Sequence, residues 1–336
     1  MSTYRLLLRV PEEHCTVTLD DSDQAKVSVK TAKEVPSDSL QNPSDTDATY
    51  DGHKGQGYQV QIMETYSRDK DETTLNPIAY VQVEPAHISD THAVVPALES
   101  VQARDLGPQE VLADSLYGSD DNESKAREMG IEIVAPTMGG PRGDSLSLSD
   151  FTADAAGDII TCPAGHAPVS QKTKQDRHIV CFSLEICNAC PHQSRCLVQT
   201  GKKYAYLRYD QKAMRIANRR QAERSTEFID KYRFRSGIEA TMSEYNTRTG
   251  VKRLRYRGVK AVRYAAVLKA VGLNIFRAAA VSRALASPST GFSSKIPSMM
   301  RWIFTFIYNL RYPDAQLIDL ASLHFQPELF QPAFIS

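Results

Sequence analysis

Between residues 58 and 66 the chain reads Tyr-Gln-Val-Gln-Ile-Met-Glu-Thr-Tyr, polar and apolar side chains taking turns. A period of two is that of a half-buried strand. Residues 78–83 (Ile-Ala-Tyr-Val-Gln-Val) predict a second strand, and residues 110–114 (Glu-Val-Leu-Ala-Asp) a short one ending on a carboxylate. Within 90–104, Val94, Val95, Leu98 and Val101 recur at helical spacing. Residues 120–130 predict a helix stopped by Gly130, and 131–136 another strand. Strands first, then helix and strand in alternation, argue for an α/β layer on a mixed sheet.

Upstream of this pattern, residues 1–44 are polar, and only 5–10 (Arg-Leu-Leu-Leu-Arg-Val) read as a strand; the rest reads as extension or linker. The periodic region 45–136 is the first part of a core. At 137–210 the texture breaks: Gly, Pro and Ser are frequent and five of the six cysteines fall there, so an insertion with its own small core is expected. Residues 211–286 turn helical. The stretch 211–246 has long charged side chains and no proline, and a second helix over 259–286 carries Val262, Ala266, Leu268, Val271 and Ile275 on one face. Residues 287–336 hold five prolines and read as an irregular appendage.

The chain has 336 residues, 41% hydrophobic and 24% charged, which is ordinary for a globular protein and excludes disorder throughout. No apolar run reaches the roughly 18 residues of a membrane span, and the first residues lack a signal peptide, so a cytoplasmic, non-membrane protein is expected. The net charge of zero hides a split. Residues 1–160 hold 12 basic and 29 acidic side chains; residues 161–283 hold 25 basic and 8 acidic. Either the basic segment meets a polyanion or two parts of the chain attract each other.

Three carboxylate positions stand out. Asp45-Thr-Asp47-Ala-Thr-Tyr precedes the first strong strand, Asp114 ends a short apolar one, and Glu239 follows Tyr232 and Arg235 at spacings of three and four that would put all three on one helix face. Hard divalent cations take carboxylate oxygens, and a pair of them serves phosphodiester chemistry. With 40 acidic residues in the chain, many triads could be chosen. Glu239, however, lies among Arg233, Arg235, Arg248, Lys252, Arg253, Arg255 and Arg257. An acid for a cation with guanidiniums for phosphate oxygens makes sense of that mixture. The alternative is an exposed helix laced with salt bridges.

These residues resemble bacterial insertion-sequence transposases of the DDE class over about 43–280. The likeness is carried by Pro43-Ser-Asp45-Thr-Asp47-Ala-Thr, by Pro85-Ala-His-Ile-Ser-Asp90, by Leu112-Ala-Asp114-Ser-Leu-Tyr117-Gly118, by Tyr232-x2-Arg235-x3-Glu239, and by Arg253-Leu-Arg-Tyr-Arg-Gly258 with Asn274 beyond it. The resemblance implies an RNase H-like mixed sheet flanked by helices, with a cysteine-rich insertion before the last catalytic helix. It implies that Asp47, Asp114 and Glu239 bind Mg²⁺ or Mn²⁺ and catalyse cleavage and strand transfer. Asp45 is the alternative to Asp47; the two share strand parity, and Asp-Ala-Thr favours Asp47. Tyr232 and Arg235 would contact DNA, helped by Arg248, Lys252, Arg253, Arg255 and Arg257. The signature's basic residue is here Asn246, with Arg248 or Lys252 as substitutes. Implied partners are double-stranded DNA, as transposon ends and target, and a second copy of the chain on DNA, within the nucleoid. Relatives carry a helical DNA-binding region ahead of the first Asp, and 44 residues precede Asp45 here, so an N-terminally truncated copy is expected. The alternatives are a non-catalytic DNA-binding remnant and a metal-dependent nuclease.

Cys162, Cys181, Cys187, Cys190 and Cys196 fall within 35 residues. In a reducing compartment such clusters suggest metal more than disulfide, and structural Zn²⁺ takes four soft ligands. Cys187, Cys190 and Cys196 are the leading ligands, with Cys162 or Cys181 as the fourth and His166 less favoured; free thiols or a redox pair are the alternatives. Cys15 stands alone. No Gly-x-Ser-x-Gly and no phosphate loop with Lys-Ser/Thr occurs, which excludes those hydrolase and nucleotide-binding classes.

Overall fold

Residues 5–10 are helical rather than extended. In a computed structural model that describes residues 3–19, 23–68, 73–140, 143–286 and 333–335, α1 runs Thr3–His14. A short apolar run fits either state; here the Arg9–Glu13 pair, four apart, supports the helix. A hairpin follows, β1 (Cys15–Leu19) with β2 (Ala25–Val29), so the polar N-terminal segment has structure of its own. Next come β3 (Thr49–Asp51), β4 (Gly55–Thr65), β5 (Ile78–Pro85), α2 (Val94–Gln102), β6 (Glu110–Ala113), α3 (Asp120–Glu128) and β7 (Glu132–Val134). The cysteine-rich stretch holds β8 (Thr152–Ala153), β9 (Ile159–Thr161), β10 (Ser170–Lys174), β11 (Arg177–Phe182), α4 (Leu184–Asn188), β12 (Gln199–Thr200) and β13 (Ala205–Asp210). Then follow α5 (Gln211–Ala222), α6 (Thr226–Tyr232), α7 (Gly237–Thr249), α8 (Val259–Ala286) and β14 (Ala333–Ile335). The expected irregular appendage lies outside the described residues except for β14. The chain is mixed α/β with several separate sheets.

Contacts divide the chain into two units, one of Met1–Val111 with Ser236–Ser336, the other of Leu112–Arg235. In the first, β3, β4 and β5 form an antiparallel run, with β14 antiparallel to β4. Ile62 and Met63 are adjacent and both fully buried, so both faces of β4 are covered there, beyond the one face that its alternation predicts. The helix α8 packs on β5 through Val262 and Ala266 against Val83. Its buried side is Val262, Ala265, Ala266, Ala270, Leu273 and Ala278; Leu268 and Val271, assigned to the apolar face from sequence, are exposed. By length and composition α8 could cross a membrane. Two polar residues nevertheless tie it into this unit. Asn274 accepts from the Ile78 N–H at 2.8 Å and donates to the Ile78 carbonyl at 2.9 Å. Arg277 reaches Glu64 of β4 at 2.8 Å.

In the second unit, β10, β11, β13 and β12 make a four-stranded antiparallel sheet. Its core joins Val180, Phe182 and Leu207 to Phe151 and Ile159, and Met214 of α5 closes it. The single helix expected over 211–246 is divided. Ser225 starts α6 by accepting from the Phe228 N–H at 3.1 Å, and a 3-10 turn at Arg233–Ser236 separates α6 from α7. Tyr232, Arg235 and Glu239 therefore sit on three successive elements, not on one face of one helix.

Candidate functional site

The acids ahead of β3 and the start of α8 belong to the first unit and meet there. Asp45 is buried. The Tyr58 hydroxyl donates to its Oδ1 at 2.5 Å and the Gly258 N–H donates to the same oxygen at 3.0 Å. Asp47, half-buried, accepts from the Val259 N–H at 3.0 Å. Burial and the Asp45 bond push the Tyr58 hydroxyl far above its usual range. The first turn of α8 contains no acid of its own, so these two distant carboxylates supply the caps and the negative charge that a helix start favours. Sequence reading missed this role; the clue was a long helix opening on Gly258-Val259 with no Ser, Thr, Asp or Asn before it.

The segment held by that clasp is basic. Lys252, Arg253, Arg255 and Arg257 are exposed and make no ion pair among the described residues, and Tyr256 between them is 60% exposed. Arg248 differs: it pairs with Glu244, one turn back on α7, at 3.0 Å. Glu239 lies in the first turn of α7 and is exposed, while Ile238, Thr241 and Tyr245 of the same helix are buried. The Tyr245 hydroxyl donates to the Ala266 carbonyl at 2.6 Å, joining α7 to α8. Arg277 bonds both Thr241 (2.6 Å) and Glu244 (3.0 Å). Burial raises the Glu64 carboxyl above its ordinary range, and its bonds with Arg277 and Thr241 oppose that rise.

Asp114 belongs to the second unit, one residue beyond β6. Its Oδ1 accepts from the Ser115 N–H at 2.6 Å, and its Oδ2 pairs with Arg235 at 3.3 Å while the side chain stays 44% exposed. Tyr232 stacks on Phe228 with ring centroids 5.5 Å apart. Gly118 is required by packing: a Cβ there would lie 2.8 Å from the Ala135 Cβ and 3.1 Å from the Pro136 carbonyl. Arg219 bridges the two segments through the Gly118 and Ala135 carbonyls.

The basic excess of 161–283 is partly neutralised within each unit. Lys212 pairs with Asp121, Arg215 with Asp120, Arg224 with Asp150 and Lys231 with Glu132 in the second unit, as Arg277 does with Glu64 in the first. The reading in which parts of the chain attract each other thus holds for these residues, and the 252–257 segment keeps its charge.

The cysteines separate into groups. Cys162, Cys187, Cys190 and Cys196 line one cavity of about 40 Å³, as does the exposed His166. Burial pushes the Cys187 thiol up, and neighbouring Cys162, Cys196 and Cys190 add to that. Cys181 does not line the cavity; on β11 it alternates with Val180 and Phe182, which face the core. Every cysteine is a free thiol. Among the described residues, no three His, Cys, Asp or Glu side chains stand ready-made as a metal group.

Residues 161–279 match a family model described as a transposase DDE domain. No curated protein and no solved structure matches the chain.

Proposed function

We propose that this chain, whose residues 161–279 match a family model described as a transposase DDE domain, cleaves DNA at insertion-sequence ends in a metal-dependent reaction and joins the freed 3′-hydroxyl to target DNA. The observation that carries the DNA side is the exposed cationic segment Lys252–Arg257, fixed in place by two carboxylates at the start of α8. Arg and Lys side chains so displayed bind phosphate oxygens without reading sequence, and Tyr256 offers a ring beside them.

Asp47, Asp114 and Glu239 are the residues we assign to Mg²⁺ or Mn²⁺. Each offers oxygen ligands of the hard type these ions prefer, and each keeps part of its side chain accessible. Asp47 suits the first position better than Asp45, which is buried and takes two donors on one oxygen. When bound, the metals supply an activated water and offset charge on the scissile phosphate. Arg235, which pairs with Asp114, would turn to a phosphate oxygen were that carboxylate to take a cation.

Glu239→Gln tests this. The variant should bind DNA with unchanged salt dependence and lose Mg²⁺-dependent cleavage by at least about 100-fold, measured on a labelled duplex with the element's ends. Cleavage at the parental rate would overturn the assignment. One observation favours a second reading, a DNA-binding remnant without catalysis: Asp47 and Asp114 already have protein partners. Salt-sensitive binding of the unaltered chain to random duplex, with no cleavage in Mg²⁺ or Mn²⁺, is the result that selects it.

A further inference from the structure

The segment 183–200 buries no residue of its own. Neither α4 nor the 3-10 turn at Gln193–Arg195 contains a buried residue, and none of 183–200 is buried. Its partly buried contacts with the core of the second unit come from Cys187, Cys196 and Val198. Cys187, Cys190 and Cys196 from this segment, and Cys162 from the turn after β9, line the same small cavity over Phe182, Ile186 and Val198. The two chain turns that bring them there are tight. The Gly165 N–H donates to the Cys162 carbonyl at 2.8 Å with Gly165 at φ +83°, and the Cys162 N–H donates to the His166 carbonyl at 2.9 Å. At the end of α4, the Cys190 N–H donates to the Cys187 carbonyl at 3.3 Å, closing the Cys-x2-Cys turn.

We propose that Cys162, Cys187, Cys190 and Cys196 bind one structural zinc ion that holds segment 183–200 to the sheet of the second unit, and that Cys181 and His166 take no part. Four thiols around one cavity match the tetrahedral all-sulfur coordination of structural zinc, which leaves no open position for chemistry. Four cysteine side chains grouped with so little apolar burial hold a chain weakly, whereas metal binding contributes folding free energy directly. As placed, the thiols do not yet cage an ion, so coordination requires them to turn about χ1 into the cavity. The step balances without an oxidant: four S–H bonds give up their protons to solvent and four Zn–S bonds form. Cys181 is excluded by strand alternation, since Val180 and Phe182 on either side of it occupy the core face. His166 is excluded by exposure and by a full set of sulfurs. Zinc binding of this kind is independent of DNA cleavage.

The test uses the full chain purified under reducing conditions. Elemental analysis should find about one zinc per chain, and Co²⁺ exchange should give the visible and sulfur-to-metal charge-transfer bands of a tetrahedral tetrathiolate site. Cys181→Ser, His166→Ala and Cys15→Ser should keep that stoichiometry, and Cys187→Ser should lose it. Because Cys187→Ser could misfold for other reasons, a strong chelator is added to the unaltered chain, and limited proteolysis should then open within 183–200 before the rest of the unit. Absence of stoichiometric metal, a disulfide among the four by non-reducing mass spectrometry, or loss of zinc in Cys181→Ser overturns the proposal. A DNA-cleavage defect with zinc content intact bears on the catalytic reading alone.

Discussion

Arg277 is the side chain on which the polar bonds of the first unit converge. It is 17% exposed, and it bonds Glu64, the Asn76 carbonyl, Thr241 and Glu244, while Thr241 itself donates to Glu64 at 2.7 Å. Removing one member of such a buried pair leaves the other charge uncompensated. Arg277→Met should therefore cost about 3–5 kcal/mol in urea unfolding. The pH dependence has a definite sign. Burial already holds the Glu64 carboxyl above its ordinary value of 4.5, and loss of Arg277 raises it further. A carboxyl raised in the folded state costs stability wherever it is ionised, so the deficit should shrink as pH falls toward that ordinary value. Glu64→Gln in the same background should recover part of the loss at neutral pH; a deficit that grows on acidification would contradict this account.

At the scale of elements, Gly118 shows why the second acidic motif ends as it does. Any side chain there meets Ala135 and the Pro136 carbonyl, so Gly118→Ala should force apart the turn after Asp114 and the strand end at Ala135. The expected cost is about 1–3 kcal/mol of overpacking, read as a lowered unfolding midpoint, with the exposed Gly140→Ala as a comparison for backbone effects alone. Strongly periodic elements were legible in sequence: α8 begins at Val259 as expected and is helical to Ala286, β5 covers its predicted run, and β4 covers its own to within one residue. Residues 5–10 were not, because an apolar run this short carries no period. The break between α5 and α6 depended on a single Ser cap inside a helix-favouring composition. Of the candidate site, the cation-rich segment was legible, as a run of bases with no acid among them. The clasp of Asp45 and Asp47 on α8 was not, since it joins residues more than 200 apart.

For the molecule as a whole, the charge split reads differently once the ion pairs are set aside. Several bases of 161–283 pair with acids of 1–160 within the same unit, whereas the four bases of the 252–257 segment stand exposed without an ion pair among the described residues. Replacing Lys252, Arg253, Arg255 and Arg257 together with Gln should weaken binding to any duplex. It should also flatten the slope of log K against log salt by about 3–4, at roughly 0.9 for each phosphate no longer neutralised. A steady-state fluorescence titration across several salt concentrations measures this, and an unchanged slope would place the DNA-binding surface elsewhere. Asp114 and Arg235 lie within three residues of the two points where the chain enters and leaves the second unit, and their ion pair keeps those points neighbours. Ends joined in this way spare the second unit part of the entropy of bringing them together.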